Sequence, residues 1–220
     1  LVVETFARLA KAAPDGWACW AFSNHDVMRH KSRWNLDDRG LKAYLVALLT
    51  LRGSVCIYQG EELGLTEAEI AYEDVQHPYG IQFWPEFKGR DGCRTPMVWQ
   101  SDNGNGGFST AKPWLPVPAE HLGRALSAQE ADPSALLHFY RAAIAFRADH
   151  PVFRSGTIAD LTATDGLLTF TRDGAGERVW VAVNLTDHPV DTPVPPGNWT
   201  ALGGKIGAVP VAKGKLALGP

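Results

Sequence analysis

The stretch FSNHDVMR, residues 22–29, sets the amide of Asn24, the imidazole of His25, the carboxylate of Asp26 and the guanidinium of Arg29 directly after the apolar run WACWAF. In βα proteins such a position is where sites are built, because the carboxyl ends of strands open onto loops. A fixed carboxylate such as Asp26 can stabilise positive charge that develops during a reaction, and His25 can hydrogen-bond the reacting molecule. A second strand-like run, SVCIY at 54–58, ends in QGEELGL, and the long loop after it carries Arg90 and Arg94. Together these residues describe a pocket containing Asp26, His25 and Arg90, bordered by Trp and Phe. That mixture suits sugars: rings cover the apolar sugar faces while charged groups read the hydroxyls.

Each residue also has a plainer reading. Asp26 alone would serve as a helix cap or turn residue. His25 alone would be a satisfied structural histidine, and Arg90 would order its loop through Asp91 or Glu86. Glu61 and Glu62 are adjacent and point differently; Glu73 and Asp74, also adjacent, read as a solvated loop edge. His25, His30 and His77 have no spacing that supports a metal site, so neither metal nor cofactor is expected. Trp34, Trp84, Trp99 and Trp114 divide between core and pocket wall.

The elements that must position these groups follow from the apolar pattern. Residues 3–13 read as a helix that stops at Pro14-Asp15-Gly16. WACWAF then reads as a short strand buried on both faces, as in a parallel sheet. A helix starts at Asp37 and Asp38, with Leu41, Tyr44, Leu45, Leu48 and Leu49 on one face and Gly53 as its stop. With SVCIY this makes a βαβ unit whose polar residues gather at the strands' carboxyl ends. Residues 66–116 form a long Gly-, Pro- and aromatic-rich insertion, and loops of such length are usually functional. A further helix is predicted over 133–148. From about residue 152 the runs GLLTFTRD, ERVWVAVNLT, HPVDTPVP and GNWTAL predict a small antiparallel sandwich.

Composition excludes several classes. With 45% apolar and 20% charged residues the chain is an ordinary globular sequence, and a net charge of −3 offers no basic surface for nucleic acid. No apolar run approaches the roughly 18 to 20 residues needed to cross a bilayer, so no membrane partner is expected. Cys19, Cys56 and Cys93 are odd in number, widely spaced and never in a CxxC arrangement, which predicts buried or partly buried free thiols. Without an initiator Met and starting inside a helical pattern, the chain is expected to begin within a larger protein. A cytoplasmic location is expected, with a periplasmic or secreted one left open by the start of the sequence.

In order, FSNHDVMR, the following helix, YQGEELGL and GRDGCRTPMVW resemble the C-terminal half of the α-amylase family of glycoside hydrolases, family 13, in its α-glucosidase and oligo-1,6-glucosidase branch. The resemblance implies the last part of a (β/α)8 TIM barrel, its seventh and eighth strands with their helices, over residues 1–150 including the loop 66–116. A C-terminal antiparallel β-sandwich would follow over 151–220. It implies that Asp26 grips the 2- and 3-hydroxyls of the bound glucose and stabilises the oxocarbenium-like transition state, with His25 on the same hydroxyls. Arg90 would pair with an N-terminal Asp and fix the terminal 4-hydroxyl, Arg94 would support that loop, and Arg29 would face the aglycone. The substrate would be an α-glucoside oligosaccharide cut from its non-reducing end.

Retaining hydrolysis needs two carboxyl groups about 5 to 5.5 Å apart. In this family they come from the fourth and fifth barrel strands, whose motifs are absent from these 220 residues. The chain is therefore expected to be a fragment, inactive alone, whose partner is the N-terminal part of the same enzyme. Uncovered barrel edges would favour self-association. The alternatives are a sucrose or maltose isomerase, a glucosyltransferase, a non-catalytic family member, and a carbohydrate-binding module.

Overall fold

The computed structural model describes residues 2–207 and 214–220. In chain order its elements are α1 (Val2–Ala12), β1 (Cys19–Trp20), α2 (His30–Arg33), α3 (Asp38–Thr50), β2 (Ser54–Val55), α4 (Pro78–Gln82), α5 (Ala119–Leu122), α6 (Leu126–Ala131), α7 (Leu136–Asp149) and α8 (Pro151–Ser155). The strands β3 (Thr157–Thr164), β4 (Leu167–Gly174), β5 (Glu177–Asn184), β6 (Val190–Pro193) and β7 (Lys215–Leu218) follow. Two compact units result: one from Leu1–Trp20, Arg39–Cys56 and Phe139–Pro220, the other from Ala21–Asp38 and Ile57–His138.

In the first unit β1 and β2 pair in parallel, Cys19 opposite Ser54 and Trp20 opposite Val55, so the predicted βαβ connection through α3 is present. The strands are shorter than the apolar runs that predict them and are not buried on both faces. The reason is the ladder: among the described residues this sheet has two strands, so each lacks a second neighbour. Cys19 and Cys56 are accordingly exposed, against the expectation of buried thiols, and only Cys93 is buried.

Strands β3, β4 and β5 form an antiparallel sheet, and β6 pairs with β7 in a second one. Phe170 and Leu168 of β4 and Val181 and Val183 of β5 pack with Val152 and Phe153 of α8, with Ala47 of α3 and with Leu51 just after it. Arg172 is fully buried beside this core. Its guanidinium donates to the carbonyls of Thr50, Val152 and Gly156, and its Nε to that of Thr157, so one cation ties the end of α3 to backbone acceptors of the 152–157 stretch. Two expectations are corrected here. GNWTAL is not a strand: Gly197 opens it at a φ of 136°, outside strand geometry, and Trp199 Nε1 turns back to the Pro195 carbonyl at 2.9 Å. The strand β3, not predicted, lies at the sheet edge with a bulge between Ala159 and Thr162 and mostly exposed side chains, which hides its period.

The second unit contains the long insertion, which is ordered by two small cores. Leu63, Leu65, Val98, Ala125 and Leu137 form one; Ala68, Ile70, Val75 and Leu115 form the other, with Trp84 against it. Arg124 clamps both oxygens of Asp38 at 2.7 and 2.9 Å while its Nε donates to the Leu63 carbonyl at 2.7 Å. Burial alone would raise the Asp38 carboxyl, but the bonds from Arg124 and Lys31 outweigh it and hold the group below its ordinary range.

Candidate active site

The site begins as a tight turn. Asn24 and Val27 face each other as a bridge, and Asn24 Oδ1 accepts from the Asp26 amide at 2.8 Å. This Asx-type bond leaves His25 and Asp26 at the tip, both exposed. The next two residues are driven the other way: Arg29 and His30 are buried at 1% and 3% exposure. The Ser23 hydroxyl accepts from the His30 amide at 2.9 Å and meets His30 Nδ1 at 2.8 Å, with Glu61 Oε1 at 3.5 Å from the same nitrogen. Trp34 packs on both Phe22 and His30. The tip is thus carried on a buried polar anchor.

The RDGCR segment supplies the facing wall. Asp91 is buried, and its Oδ2 accepts from the amides of Gln76 and His77 at 2.7 and 2.8 Å. Asp91 therefore fixes the turn and does not pair with Arg90. Arg90 Nη1 instead reaches Asp26 Oδ1 at 2.6 Å, and Arg94 Nη2 approaches the same oxygen at 3.3 Å. Arg94 Nε also donates to the His25 carbonyl at 2.8 Å, so it holds the tip itself. His25 Nε2 lies 3.5 Å from Asp26 Oδ2. Both guanidinium groups converge on one carboxylate oxygen, and the second faces the imidazole.

Four of the five sequence-predicted residues, His25, Asp26, Arg90 and Arg94, come together. Arg29 does not, and its placement toward an aglycone is corrected. Its Nη1 donates to the Gln59 carbonyl at 2.8 Å and its Nη2 to the Cys93 carbonyl at 3.2 Å, in a buried position without access to ligand. Burial lowers its pKa, countered by Tyr58, Cys93, Glu67 and Glu61. Glu67, not singled out from sequence, accepts from the Arg29 amide at 3.0 Å, and burial raises its carboxyl. Glu62 Oε2 accepts from the Gly60 amide at 2.9 Å and is likewise raised by burial, so it is occupied within its own loop. Glu61 is buried against His30. Glu73 is exposed and Asp74 half-buried beside it, where Lys112 reaches Asp74 at 3.3 Å. Trp99 and Trp114 are exposed, whereas Trp84 lines a core.

Chemically the site is one exposed carboxylate held by two cations beside an imidazole. It can orient vicinal hydroxyls and stabilise positive charge; breaking a glycosidic bond by the retaining route needs two further carboxyl groups. Among the described residues no cluster of three or more His, Cys, Asp or Glu is arranged to hold a metal ion, and no helix is long and apolar enough to cross a membrane.

Residues 2–156 match the family described as alpha amylase, catalytic domain. The chain is 52% identical over 198 residues to a "Probable alpha-glucosidase" of Rhizobium meliloti, covering 88% of this chain and 36% of that protein. It is 32% identical over 214 residues to an oligo-1,6-glucosidase of Heyndrickxia coagulans, covering 86% of this chain and 38% of that one. Among solved structures it superposes on an alpha-glucosyl transfer enzyme with a TM-score of 0.92 at 43% identity, over 99% of this chain and 41% of the other. A trehalulose synthase from Pseudomonas mesoacidophila gives 0.81 at 26% identity, over 99% and 44%. The chain thus spans little more than a third of the length of these two curated relatives.

Proposed function

From the premise that the chain belongs to the alpha-amylase catalytic-domain family, we propose that it is the C-terminal portion of a retaining, exo-acting α-glucosidase. Residues 1–150 would complete the (β/α)8 barrel, and residues 151–220 would form its C-terminal β-sandwich. The observation that carries this reading is the convergence of Arg90 and Arg94 on Asp26 Oδ1, which leaves Oδ2 and His25 for a ligand. Glycosyl transfer passes through a positively charged ring, and a carboxylate held in place interacts more strongly with that ring than with the neutral sugar. Asp26 would bridge the 2- and 3-hydroxyls with His25 beside it. Arg90 would orient the carboxylate and close the non-reducing end, favouring release of single glucose units from short α-glucoside oligosaccharides.

The nucleophile and acid/base are assigned to sequence outside these 220 residues, since the relatives are much longer and neither Glu61 nor Glu62 is free for the task. The isolated chain is accordingly expected to be inactive. The test is Asp26→Asn in the enzyme that carries this segment. Loss of most hydrolysis of p-nitrophenyl α-glucoside is expected, and near-normal turnover would refute the role of Asp26. A second reading, glucosyl transfer in place of hydrolysis, is favoured by the likeness to the alpha-glucosyl transfer enzyme. Product analysis with maltose and an added alcohol acceptor separates the two: hydrolysis releases two glucose per maltose consumed, whereas transfer releases one glucose, the leaving group, and one new α-glucoside of the alcohol.

A further inference from the structure

This inference rests on the reading of Asp26 just given and adds a residue to it. We propose that Arg29 is a positioning residue, a buried strut that fixes the turn bearing Arg90 and Arg94 and through it the direction of the Asp26 carboxylate. The backbone of Arg29 lies one short step after the Asp26 tip, and its amide is tied to Glu67 Oε2 at 3.0 Å. Its side chain spans to the opposite wall. There Nη2 and the Tyr58 hydroxyl both donate to one carbonyl, that of Cys93, at 3.2 and 3.1 Å. Cys93 sits between the two arginines, and its Sγ donates to the Arg90 carbonyl at 3.2 Å. The connections close a ring: Asp26 to Arg29 through the chain, Arg29 to Cys93, Cys93 to Arg90 and Arg94, and these back to Asp26.

Several details mark a role in placement. A buried guanidinium is weak evidence for stability, because desolvation opposes it. Arg29 accepts that cost with its Nε unpartnered among the described residues. The planar fork lets Nη1 and Nη2 hold carbonyls of two different segments, those of Gln59 and Cys93, which a lysine ammonium would not hold at the same spacing. The Tyr58 ring lies 5.1 Å from the guanidinium carbon and covers its face. Gly60 makes room: a Cβ there would stand 3.0 Å from Arg29 Nη1.

The experiment is a double-mutant cycle on kcat/KM for p-nitrophenyl α-glucoside in the enzyme that carries this segment. Arg29→Lys is expected to lower kcat/KM by roughly tenfold to a hundredfold, the scale of a small misplacement of an orienting group. In a background of Arg90→Ala with Arg94→Ala the same change should cost less than about threefold, since the strut then has nothing to place. Equal losses in both backgrounds would overturn the proposal, as they would mark a merely structural residue. Should Arg29→Lys fail to fold, Tyr58→Phe removes one donor to Cys93 with little change in volume. It should show a smaller loss with the same dependence on background; an equal loss in both, or none in either, overturns the proposal equally. Asp26→Asn measured alongside separates the two ideas. Unchanged turnover there sinks the reading of Asp26, whereas loss there with additive Arg29 effects sinks the strut alone.

Discussion

Arg90 Nη1 lies 2.6 Å from Asp26 Oδ1, although the two residues are 64 apart in the chain and both are substantially exposed. An exposed ion pair contributes little to folding, about 0 to 1 kcal/mol, so this contact is poorly explained as a device for stability. Arg90→Ala in the enzyme that carries this segment is therefore expected to leave the urea midpoint nearly unchanged while lowering kcat/KM by about a hundredfold. A shift of the midpoint with little change in kcat/KM would reverse that assignment.

Arg172 offers the opposite case. It is fully buried and gathers the carbonyls of Thr50, Val152, Gly156 and Thr157, and burial holds its pKa down to about 10. Arg172→Met keeps the volume but leaves those acceptors without their donor. A loss of about 3 to 5 kcal/mol in unfolding free energy is expected, read from urea titration. A loss below about 1 kcal/mol would show that the carbonyls find other partners.

The contrast between these arginines shows what the sequence could and could not disclose. FSNHDVMR declares itself by composition, since its charged residues gather where an apolar run ends, whereas RDGCR lies inside the long loop and its arginines take their roles from the family resemblance. The depth of each side chain is not written there. Arg29 and Arg94 are equally polar in sequence, yet one is buried against two carbonyls and the other holds the tip. Arg172 reaches a carbonyl 122 residues away, a pairing with backbone that no residue type signals. Strand β3 escaped for a related reason: its bulge and exposed edge break the alternation that reveals half-buried strands. The elements with unbroken periods, α1, α3 and α7, were legible to within a few residues.

His121 predicts a pH dependence. It is fully buried; its Nε2 meets the Thr66 carbonyl at 3.0 Å, and burial, with Arg29 as the next cause, pushes its pKa from 6.5 to about 4. The native state keeps it neutral while the unfolded state protonates near the ordinary value. Stability from this group is present above about pH 6.5 and is lost as pH falls toward about 4, below which it changes no further. The total is on the order of 3 kcal/mol. His121→Gln should flatten the stability profile between those two pH values, measured as urea midpoints; an unaltered slope would assign the acid lability to other groups.

Gly92 tests how tightly the RDGCR turn is seated. A Cβ at this position would come within 2.5 Å of the Ala68 carbonyl oxygen and of Glu67 Oε1, and the same backbone accepts from the Ala68 amide at 3.0 Å. The Glu67 side chain could swing away, but the Ala68 backbone could not do so without moving the segment that Gly92 leans on. Gly92→Ala should therefore displace the turn, lowering both the melting temperature and kcat/KM in the enzyme that carries this segment. Gly104 is the control, because a Cβ there meets nothing within 4 Å. Gly104→Ala should be neutral or slightly stabilising, by up to about 1 kcal/mol through the unfolded chain. Equal behaviour of the two variants would mean that the turn yields easily and that its arginines are not held by close packing at Gly92.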